Sequence, residues 1–215
     1  MESPRRFRRP AIAVLCSGQG TNLQAIIQAI RAGRLRARLA LVITDHAGAF
    51  ALTRARRARI PAVFVNPKRF PTRQAFERHL IALLDRHHVR LVCLAGFMRL
   101  LSPRFVRHFH NRILNIHPAL LPAFPGAQAI RDTLAWGAKV TGVTVHLVDD
   151  AMDHGPILLQ DALAIRPGER ASSLLRRIHR LEHRLYPQAI GLMLEGRVAV
   201  RGRITTITSS ASTSS

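Results

Sequence analysis

Residues 11–30 read AIAVLCSGQGTNLQAIIQAI. The uninterrupted apolar run at 11–16 is typical of a strand that is buried on both faces. Apolar residues then recur at helical spacing over 22–30, and the turn between the two runs contains Gly18 and Gly20. A buried strand that passes through a glycine turn into an amphipathic helix is half of a βαβ unit, so this stretch predicts an α/β fold.

The same alternation continues over the first two thirds of the chain, with no internal repeat. Such spacing implies right-handed βαβ crossovers and a doubly wound, mostly parallel sheet. Further strands are predicted at residues 39–43, 62–65, 91–95 and 112–116, and helices at 49–58 and 73–87.

The pattern changes in the last third of the chain, where two strands follow each other without a helix. Residues 141–148 and 157–165 are separated only by a turn, so we expect an antiparallel C-terminal addition to the sheet. A long helix is predicted to begin at a cap formed by Ser172 or Ser173. A short last strand is predicted at 197–204.

Length and composition favour one domain. The chain has 215 residues, of which 47% are hydrophobic, enough for a sizeable core. We expect a basic N-terminal extension at 1–10, the domain at 11–203 and a disordered Ser/Thr-rich tail at 204–215. Cys16 and Cys93 are expected to be reduced, buried thiols. Because no apolar run reaches the ~18 residues of a membrane span and no secretory signal is recognised, a cytoplasmic protein is predicted.

Charge is the most unusual feature of the composition. Lys+Arg 33 against Asp+Glu 12 give a formal net charge of +21. Nucleic-acid binders usually combine a clustered basic face with stacking aromatics, whereas here the arginines are spread out and aromatics make up only 5%. We therefore interpret the arginines as an arginine-rich composition or a solvated surface and expect no nucleic acid, although the charge also suits an anionic small-molecule substrate. A basic nucleic-acid-binding module is the alternative, which salt-sensitive RNA binding would favour.

Three segments with unusual residues follow strand ends, at 17–22, 96–101 and 115–118. In open α/β sheets, ligands bind outside the carboxyl ends of the strands, so all three segments are expected on one edge. The apolar residues at 96–101 suit a groove for a flat heterocycle. An ordinary hydrophobic connection has the same pattern.

The glycine turn at 17–22 has two open interpretations. Free amides at the start of the helix, together with the Thr21 and Asn22 side chains, suit a phosphate group. A tight strand–helix turn capped by Asn22 fits the same residues. Leu23 stands where a dinucleotide motif needs its third glycine, and no Gly-Lys-Ser/Thr follows, so the turn matches neither nucleotide-binding motif.

Asn115 and His117 are two residues apart in an extended segment, so their side chains point to the same side. An amide can bind a developing oxyanion and an imidazole can move a proton, which is a minimal set of groups for acyl transfer. Asp153 lies in a turn that can fold over the same edge, with Asp149 and Asp150 as competing carboxylates. An ordinary loop histidine is the alternative interpretation.

Taken together, six segments resemble the phosphoribosylglycinamide formyltransferase family, the folate-dependent formyl transferases of purine synthesis. Segments 114–122 and 152–156 carry the resemblance to formyl transfer from a reduced folate, and 16–24 carries that to the glycinamide ribonucleotide branch. The match runs from about residue 11 to about residue 202. The segments are, in order, CSGQGTNLQ (16–24), LAGFMRLLSP (94–103), LNIHPALLP (114–122), GVTVH (142–146), MDHGP (152–156) and LEHRLYP (181–187).

The resemblance implies a Rossmann-like formyltransferase fold over 11–203. It implies formyl transfer from 10-formyltetrahydrofolate to the amine of 5'-phosphoribosylglycinamide, which gives formylglycinamide ribonucleotide and tetrahydrofolate in de novo purine (IMP) biosynthesis. Asn115, His117 and Asp153 match the catalytic residues, with no metal expected, and we expect a monomer or homodimer away from membranes. The matching binding residues are Gly20, Thr21, Asn22 and Glu182 for glycinamide ribonucleotide, and Arg73, Met98, Arg99, Leu100, Leu101, Asn115 and Asp149 for the folate.

The chain departs from the family pattern at two places. Gln128 and Ile130 occupy a loop that often carries basic or histidine residues. His154 stands where a small residue is common. Substrate contacts in the first loop and the shape of the second turn therefore stay open.

Other functions are weighed against this one. His179, Glu182 and His183 form the His-x-x-Glu-His pattern of a zinc protease on a helix, but a recognisable third ligand is missing. Methionyl-tRNA formyltransferases carry an additional RNA-binding domain, and formyltetrahydrofolate hydrolases an additional regulatory domain. We expect neither, because only ten residues precede the first predicted strand and few follow the last.

Overall fold

The computed structural model of the protein describes residues 9–209. Its strands are β1 (Ala11–Leu15), β2 (Arg38–Thr44), β3 (Ala62–Phe64), β4 (Leu91–Leu94), β5 (Ile113–His117), β6 (Val140–Leu147), β7 (Ile157–Ala164), β8 (Val198–Arg201) and β9 (Ile204–Ile207). Its helices are α1 (Thr21–Arg31), α2 (Phe50–Arg57), α3 (Arg73–Arg86), α4 (Pro103–His108), α5 (Ala129–Ala135) and α6 (Ala171–Leu194).

Seven of these strands form one sheet in the order β3-β2-β1-β4-β5-β6-β7. The first five strands along the chain pair in parallel. β6 pairs antiparallel with both β5 and β7. The expected doubly wound, mostly parallel sheet with an antiparallel C-terminal addition is therefore confirmed.

The central strand β1 is buried on both faces, which explains its uninterrupted apolar run. Ile12 and Val14 pack into one core with α1, α2 and α6. Ala13 and Leu15 pack into a second core with α3 and α4. Helices thus cover both faces, and the carboxyl edge of the parallel strands is left for the connecting loops.

The long helix α6 is fastened to that edge by a buried tyrosine. The Tyr186 hydroxyl lies 2.7 Å from the carbonyl oxygen of Leu94, the last residue of β4, and 3.0 Å from that of Leu114, the second residue of β5. Tyr186 is fully buried. This anchor brings the preceding turn of α6, which carries Glu182, to the same edge as the strand ends.

Three expectations about the C-terminal third are corrected by the structure. α6 begins at Ala171 after Arg170, and Ser173 instead donates a hydrogen bond to Glu169. The single strand predicted at 197–204 is an antiparallel hairpin, β8 and β9. The disordered tail predicted at 204–215 is wrong where β9 forms, because its β-branched residues pair with β8. Residues 1–8 and 210–215 lie outside the described residues.

The sequence patterns also left two helices unpredicted. α4 and α5 have six and seven residues, too few to show a helical period. Over residues 9–209, none of the helices combines the length and the apolar character that crossing a membrane requires.

Candidate active site

A single cavity of about 570 Å³ opens at the carboxyl edge of the parallel strands. It lies where β1, β4 and β5 end and where α6 crosses them. Every site residue predicted from the sequence lines this cavity: Gly20, Thr21, Asn22, Arg73, Met98, Arg99, Leu100, Leu101, Asn115, His117, Asp149, Asp153 and Glu182. The fold therefore brings together groups that are far apart along the chain.

The centre of the cavity holds an amide and a carboxylate in contact. Asn115 lies on β5, opposite His146 of β6. Its Nδ2 atom donates to Asp153 Oδ1 at 3.3 Å and to His146 Nε2 at 3.1 Å. The second bond fixes the tautomer of His146, because the His146 Nδ1 atom lies 2.8 Å from the Leu147 carbonyl oxygen and donates to it.

Asp153 reaches the cavity from the turn between β6 and β7. Its φ of 51° lies in the left-handed region, which is uncommon for a residue other than glycine. The Gly126 backbone N–H donates to Asp153 Oδ2 at 2.7 Å. Burial raises the pKa of Asp153, but the interaction with His146, the Gly126 hydrogen bond and the nearby His117 outweigh it, so the pKa lies below its ordinary value. Asp153 is thus a carboxylate at neutral pH.

His117 lies between a backbone carbonyl and the carboxylate of Asp153. Nε2 donates to the Phe124 carbonyl oxygen at 2.8 Å, and Nδ1 lies 3.4 Å from Asp153 Oδ2. Burial lowers the pKa of His117, and this outweighs the opposing effects of Asp153 and of the Phe124 carbonyl. The imidazole therefore rests neutral at pH 7, with its basic Nδ1 atom facing the carboxylate.

His146 is a site residue that the sequence reasoning missed. It is buried, lines the cavity and contacts Asn115. The available signal was the alternation of β6, in which Val143, Val145 and Leu147 face one core and leave a histidine on the opposite face. The alternation of β6 does not show which residue lies opposite His146. The register of β5 against β6 shows that this residue is Asn115.

One end of the cavity is built from the start of α1. Gly20 precedes this helix with φ 67°, and none of the described side chains caps it. Asn22 is not a cap, because its Oδ1 atom accepts no hydrogen bond, and its Nδ2 atom donates to Glu182 Oε2 at 3.0 Å. The amides of the first helical turn therefore remain free to bind an anion, which favours the phosphate interpretation of this turn.

A cation that the sequence reasoning missed supports this turn. Arg54 of α2 donates from Nε to the Gln19 carbonyl oxygen at 2.8 Å and from Nη1 to Gln24 Oε1 at 3.2 Å. The Arg54 guanidinium also lies over the Phe50 ring, 4.9 Å from its centroid. The turn is thus held by a positive charge from the neighbouring helix.

Glu182 contacts this turn through Asn22 and lines the cavity. It is buried, and burial raises its pKa to about 7, against the lowering effect of the Asn22 hydrogen bond. Small changes of pH around neutrality therefore change its charge. A buried carboxyl with this pKa, open to a cavity, is suited to bind an amine.

The other end of the cavity is apolar and open. Met98 is 65% exposed and Leu100 is 59% exposed, which is unusual for such side chains. Arg73 braces this segment, because its Nη2 atom donates to the Leu100 carbonyl oxygen at 2.7 Å and its Nε atom pairs with Glu77 at 3.0 Å. Arg99 is engaged by Asp45 at 2.7 Å. The apolar side chains can cover a flat ring.

The structure shows where the loop at 123–130 and the His-x-x-Glu-His pattern of α6 lie. Gly126 and Ala127 line the cavity, whereas Gln128 and Ile130 do not. The His179 and His183 rings are stacked 5.9 Å apart. Within residues 9–209, no group of three or more His, Cys, Asp or Glu side chains is arranged to hold a metal ion.

The chain is similar to known proteins over most of its length. The family model "Formyl transferase" matches residues 10–190. Phosphoribosylglycinamide formyltransferase of Escherichia coli (strain K12) is 41% identical over 187 residues, which are 87% of this chain and 88% of that enzyme. Trifunctional purine biosynthetic protein adenosine-3 of Drosophila pseudoobscura pseudoobscura is 44% identical over 190 residues. This chain spans only 14% of that longer relative, and the match covers 87% of this chain.

A solved structure extends the agreement to three dimensions. The crystal structure of glycinamide ribonucleotide transformylase 1 from Symbiobacterium toebii superimposes with a TM-score of 0.93 at 47% identity. The superposition covers 97% of this chain and 99% of that one. The resemblance seen in the six segments is thereby confirmed over most of the chain. This chain belongs to the phosphoribosylglycinamide formyltransferase family.

Proposed function

We propose that the chain transfers the formyl group of 10-formyltetrahydrofolate to the amine of 5'-phosphoribosylglycinamide, with Asn115, His117 and Asp153 around the reacting carbon. The observation that carries this proposal is one cavity that holds an amide, an imidazole and a carboxylate between free helix amides and an apolar mouth. The free amides match the phosphate of one substrate, and the apolar lining matches the flat pterin of the other.

Chemistry begins with attack of the substrate amine on the formyl carbon. A C–N bond forms, the carbonyl π electrons move to oxygen, and a tetrahedral intermediate with an oxyanion and an ammonium results. The amide of Asn115, whose two N–H groups donate to Asp153 and His146 in the structure, turns one of them toward the oxyanion and stabilises it as the charge develops. When the oxyanion collapses, the bond from carbon to N10 breaks.

Proton movement is the task of the His117 and Asp153 pair. The attacking nitrogen must lose a proton and N10 must gain one before it leaves. Nδ1 of His117 is unprotonated at rest and faces Asp153, so it can receive this proton while the carboxylate stabilises the imidazolium. The imidazolium then adds to the stabilisation of the oxyanion and returns the proton to N10.

Glycinamide ribonucleotide is bound at the α1 end of the cavity. Its phosphate meets the free amides of Gly20, Thr21 and Asn22, with the positive charge of Arg54 nearby. Its amine meets the Glu182 carboxylate, which contacts the phosphate turn through Asn22 and lines the cavity. Binding at both ends orients the amine toward the formyl carbon, which lowers the entropic cost of reaction.

Folate is bound at the apolar end. Met98, Leu100 and Leu101 cover the ring system, and backbone groups near Asp149 bind its polar edge. Arg73 and Arg99 supply positive charge at the mouth, where an anionic tail of the cosubstrate leaves the cavity.

One spectrophotometric assay tests the proposal. Wild-type protein is mixed with 10-formyltetrahydrofolate, with and without glycinamide ribonucleotide, and release of tetrahydrofolate is recorded. We expect turnover only when the ribonucleotide is present. Turnover without it would identify a hydrolase, and no turnover together with salt-sensitive RNA binding would identify a nucleic-acid-binding module. Because protein side chains supply each group that the transfer needs, we expect a chelator to leave the rate unchanged.

Glu182→Gln is expected to raise the KM for glycinamide ribonucleotide and to remove its dependence on pH. The pKa of Glu182 is about 7, so the carboxylate form that binds the amine becomes more abundant as the pH rises from about 6 to about 8. The wild-type KM should fall over this range, whereas that of the variant stays high and flat. Steady-state kinetics at several pH values measure this, and exposed Glu195→Gln is the control.

Glu182→Gln is also expected to stabilise the folded protein at high pH, although it weakens substrate binding. The pKa of Glu182 is higher in the folded protein than its unfolded value of 4.5, so the folded state binds more protons between pH 4.5 and about 7. Stability from this group is therefore lost as the pH rises through that window. Glu182→Gln should melt above wild type at about pH 8 and close to it at about pH 4.5. A variant that melts below wild type at both would contradict this.

Gly20→Ala is expected to destabilise the protein by about 1–3 kcal/mol and to raise the KM for glycinamide ribonucleotide. The residue has φ 67°, and an added Cβ would lie 2.9 Å from Ala51 Cβ and 3.0 Å from Ala51 Cα. Either α2 or the phosphate turn must move. Thermal melting and kinetics measure the two effects. Gly48→Ala is the control, because its Cβ would meet no described heavy atom within 4 Å.

A further inference from the structure

The turn that carries Asp153 is held from outside the cavity by the C-terminal hairpin. Residues Asp149 to Asp153 line the cavity, but the neighbouring His154 does not. Arg203, at the tip of the β8–β9 hairpin, donates from Nη2 to the His154 carbonyl oxygen at 2.6 Å. Its Nη1 atom lies 2.8 Å from Nε2 and 3.1 Å from Nδ1 of the His154 ring.

The His154 ring also contacts Asp149, which lines the cavity. Nδ1 of His154 lies 2.7 Å from Asp149 Oδ2 and donates to it. The other carboxylate oxygen of Asp149 accepts from the Ala151 backbone N–H at 3.1 Å. A continuous chain of contacts therefore runs from Arg203 through His154 to both ends of the turn.

This turn needs such support, because its backbone is strained. Asp153 has φ 51°, a conformation that a non-glycine residue keeps only when its surroundings impose it. At Gly155, two residues after Asp153, an added Cβ would clash with the Leu147 carbonyl oxygen, so the chain is closely folded back on β6. A loss of outside contacts would let the turn relax away from this geometry.

The hairpin is itself fixed to the sheet. The Thr205 hydroxyl donates to the Ile157 carbonyl oxygen at 2.6 Å, at the first residue of β7. β8 and β9 pair over four residues on each strand. The hairpin that carries Arg203 at its tip is thus attached to β7. Arg203 lies beyond residues 10–190, which the family model covers.

We propose that Arg203 and His154 are positioning residues for Asp153, which hold its carboxylate against Gly126 and His117 during formyl transfer. This inference rests on the proposed function, since it concerns the same reaction. Neither residue touches the reacting atoms. They act on the rate because a displacement of about 1 Å in a catalytic group can cost on the order of 10²-fold.

Arg203→Ala tests the proposal against Arg201→Ala, a matched change of an exposed arginine on the same hairpin. We expect Arg203→Ala to lower kcat by about tenfold and to raise the KM for 10-formyltetrahydrofolate, because the Asp149 end of the turn also loosens. The KM for glycinamide ribonucleotide should stay within about twofold, since within residues 9–209 no side-chain hydrogen bond joins the 149–154 turn to the start of α1. Equal kcat for the two alanine variants would overturn the proposal.

Two further variants separate positioning from general stability. In Arg203→Lys, the lysine ammonium can donate to the His154 carbonyl oxygen but cannot contact the His154 ring at the same time. We therefore expect a kcat between those of wild type and Arg203→Ala, with an unchanged melting temperature. In a His154→Gly background, Arg203→Ala should cost less than in wild type, because part of the contact is already lost. The full tenfold loss in that background would overturn the proposal.

Failure of the positioning role and failure of the proposed function give different results in these experiments. If wild-type protein does not transfer the formyl group, the proposed function fails. If wild type transfers it and Arg203→Ala does so equally well, only the positioning role fails. Should Arg203→Ala not fold, Arg203→Lys decides the question, and a wild-type kcat for that variant would contradict it.

Discussion

Asp153→Asn is expected to lower kcat by roughly 10²–10⁴-fold, the range that general acid–base groups contribute. The asparagine has the shape of the aspartate but carries no charge. It therefore removes the carboxylate that lies 3.4 Å from Nδ1 of His117 and would stabilise the imidazolium. Steady-state kinetics at saturating concentrations of both substrates measure the loss.

The pH dependence of the residual activity gives a second readout. Asp153 raises the pKa of His117, so its loss should lower that pKa further. The reaction needs neutral His117 at rest, and activity falls when the pH drops through its pKa. The acidic limb of the kcat profile should therefore lie at lower pH in the variant than in wild type.

A matched aspartate provides the control for this substitution. Asp132 on α5 is exposed and lies outside the cavity, so Asp132→Asn should keep wild-type kinetics. If Asp153→Asn keeps near-normal activity while its fold is intact, Asp153 has no part in the transfer. An equal loss in both variants would also contradict the assignment.

Asn115→Ala is expected to lower kcat by about 10²–10³-fold, the usual cost of removing one oxyanion donor. The amide is the donor at the centre of the cavity, where it contacts Asp153 at 3.3 Å and His146 at 3.1 Å. The KM for glycinamide ribonucleotide should change little, because Glu182 and the phosphate turn bind it at a distance from Asn115. The effect thus belongs to the transition state.

Asn111, which lies in a turn away from the cavity lining, provides the control for this substitution. Asn111 has φ 54° in a turn, and glycine accepts that conformation, so Asn111→Gly should leave kcat unchanged. The loss in Asn115→Ala is measured at saturation and again in single turnover, which separates chemistry from product release. Near-normal transfer in both Asn115→Ala and Asp153→Asn would show that the catalytic assignment is wrong.

Much of the fold follows from local sequence patterns. The apolar run before Gly18 predicted a doubly buried strand, and the structure shows β1 between two cores. Spacing alone placed Asn115 and His117 on one side of β5, because a strand alternates every two residues. Short helices, the start of α6 and the C-terminal hairpin were not predicted, since they depend on few residues or on pairing.

The candidate site was predicted mainly through resemblance, and the structure adds contacts that no local pattern contains. Asn22 and Glu182 are 160 residues apart and yet 3.0 Å from each other. His146 contacts Asn115 only through the register of β5 with β6. Arg203 reaches His154 only because the hairpin folds back on β7.

Periodicity and turn residues in this chain thus specify which segments become strands and helices, because these depend on neighbours a few residues away. Which carboxylate meets which imidazole, and whether a carboxyl such as Glu182 has a pKa near 7, depends on burial and on distances across the sheet edge. Those quantities arise only when distant segments pack together, since desolvation and charge interactions are set by spatial proximity and not by separation along the chain.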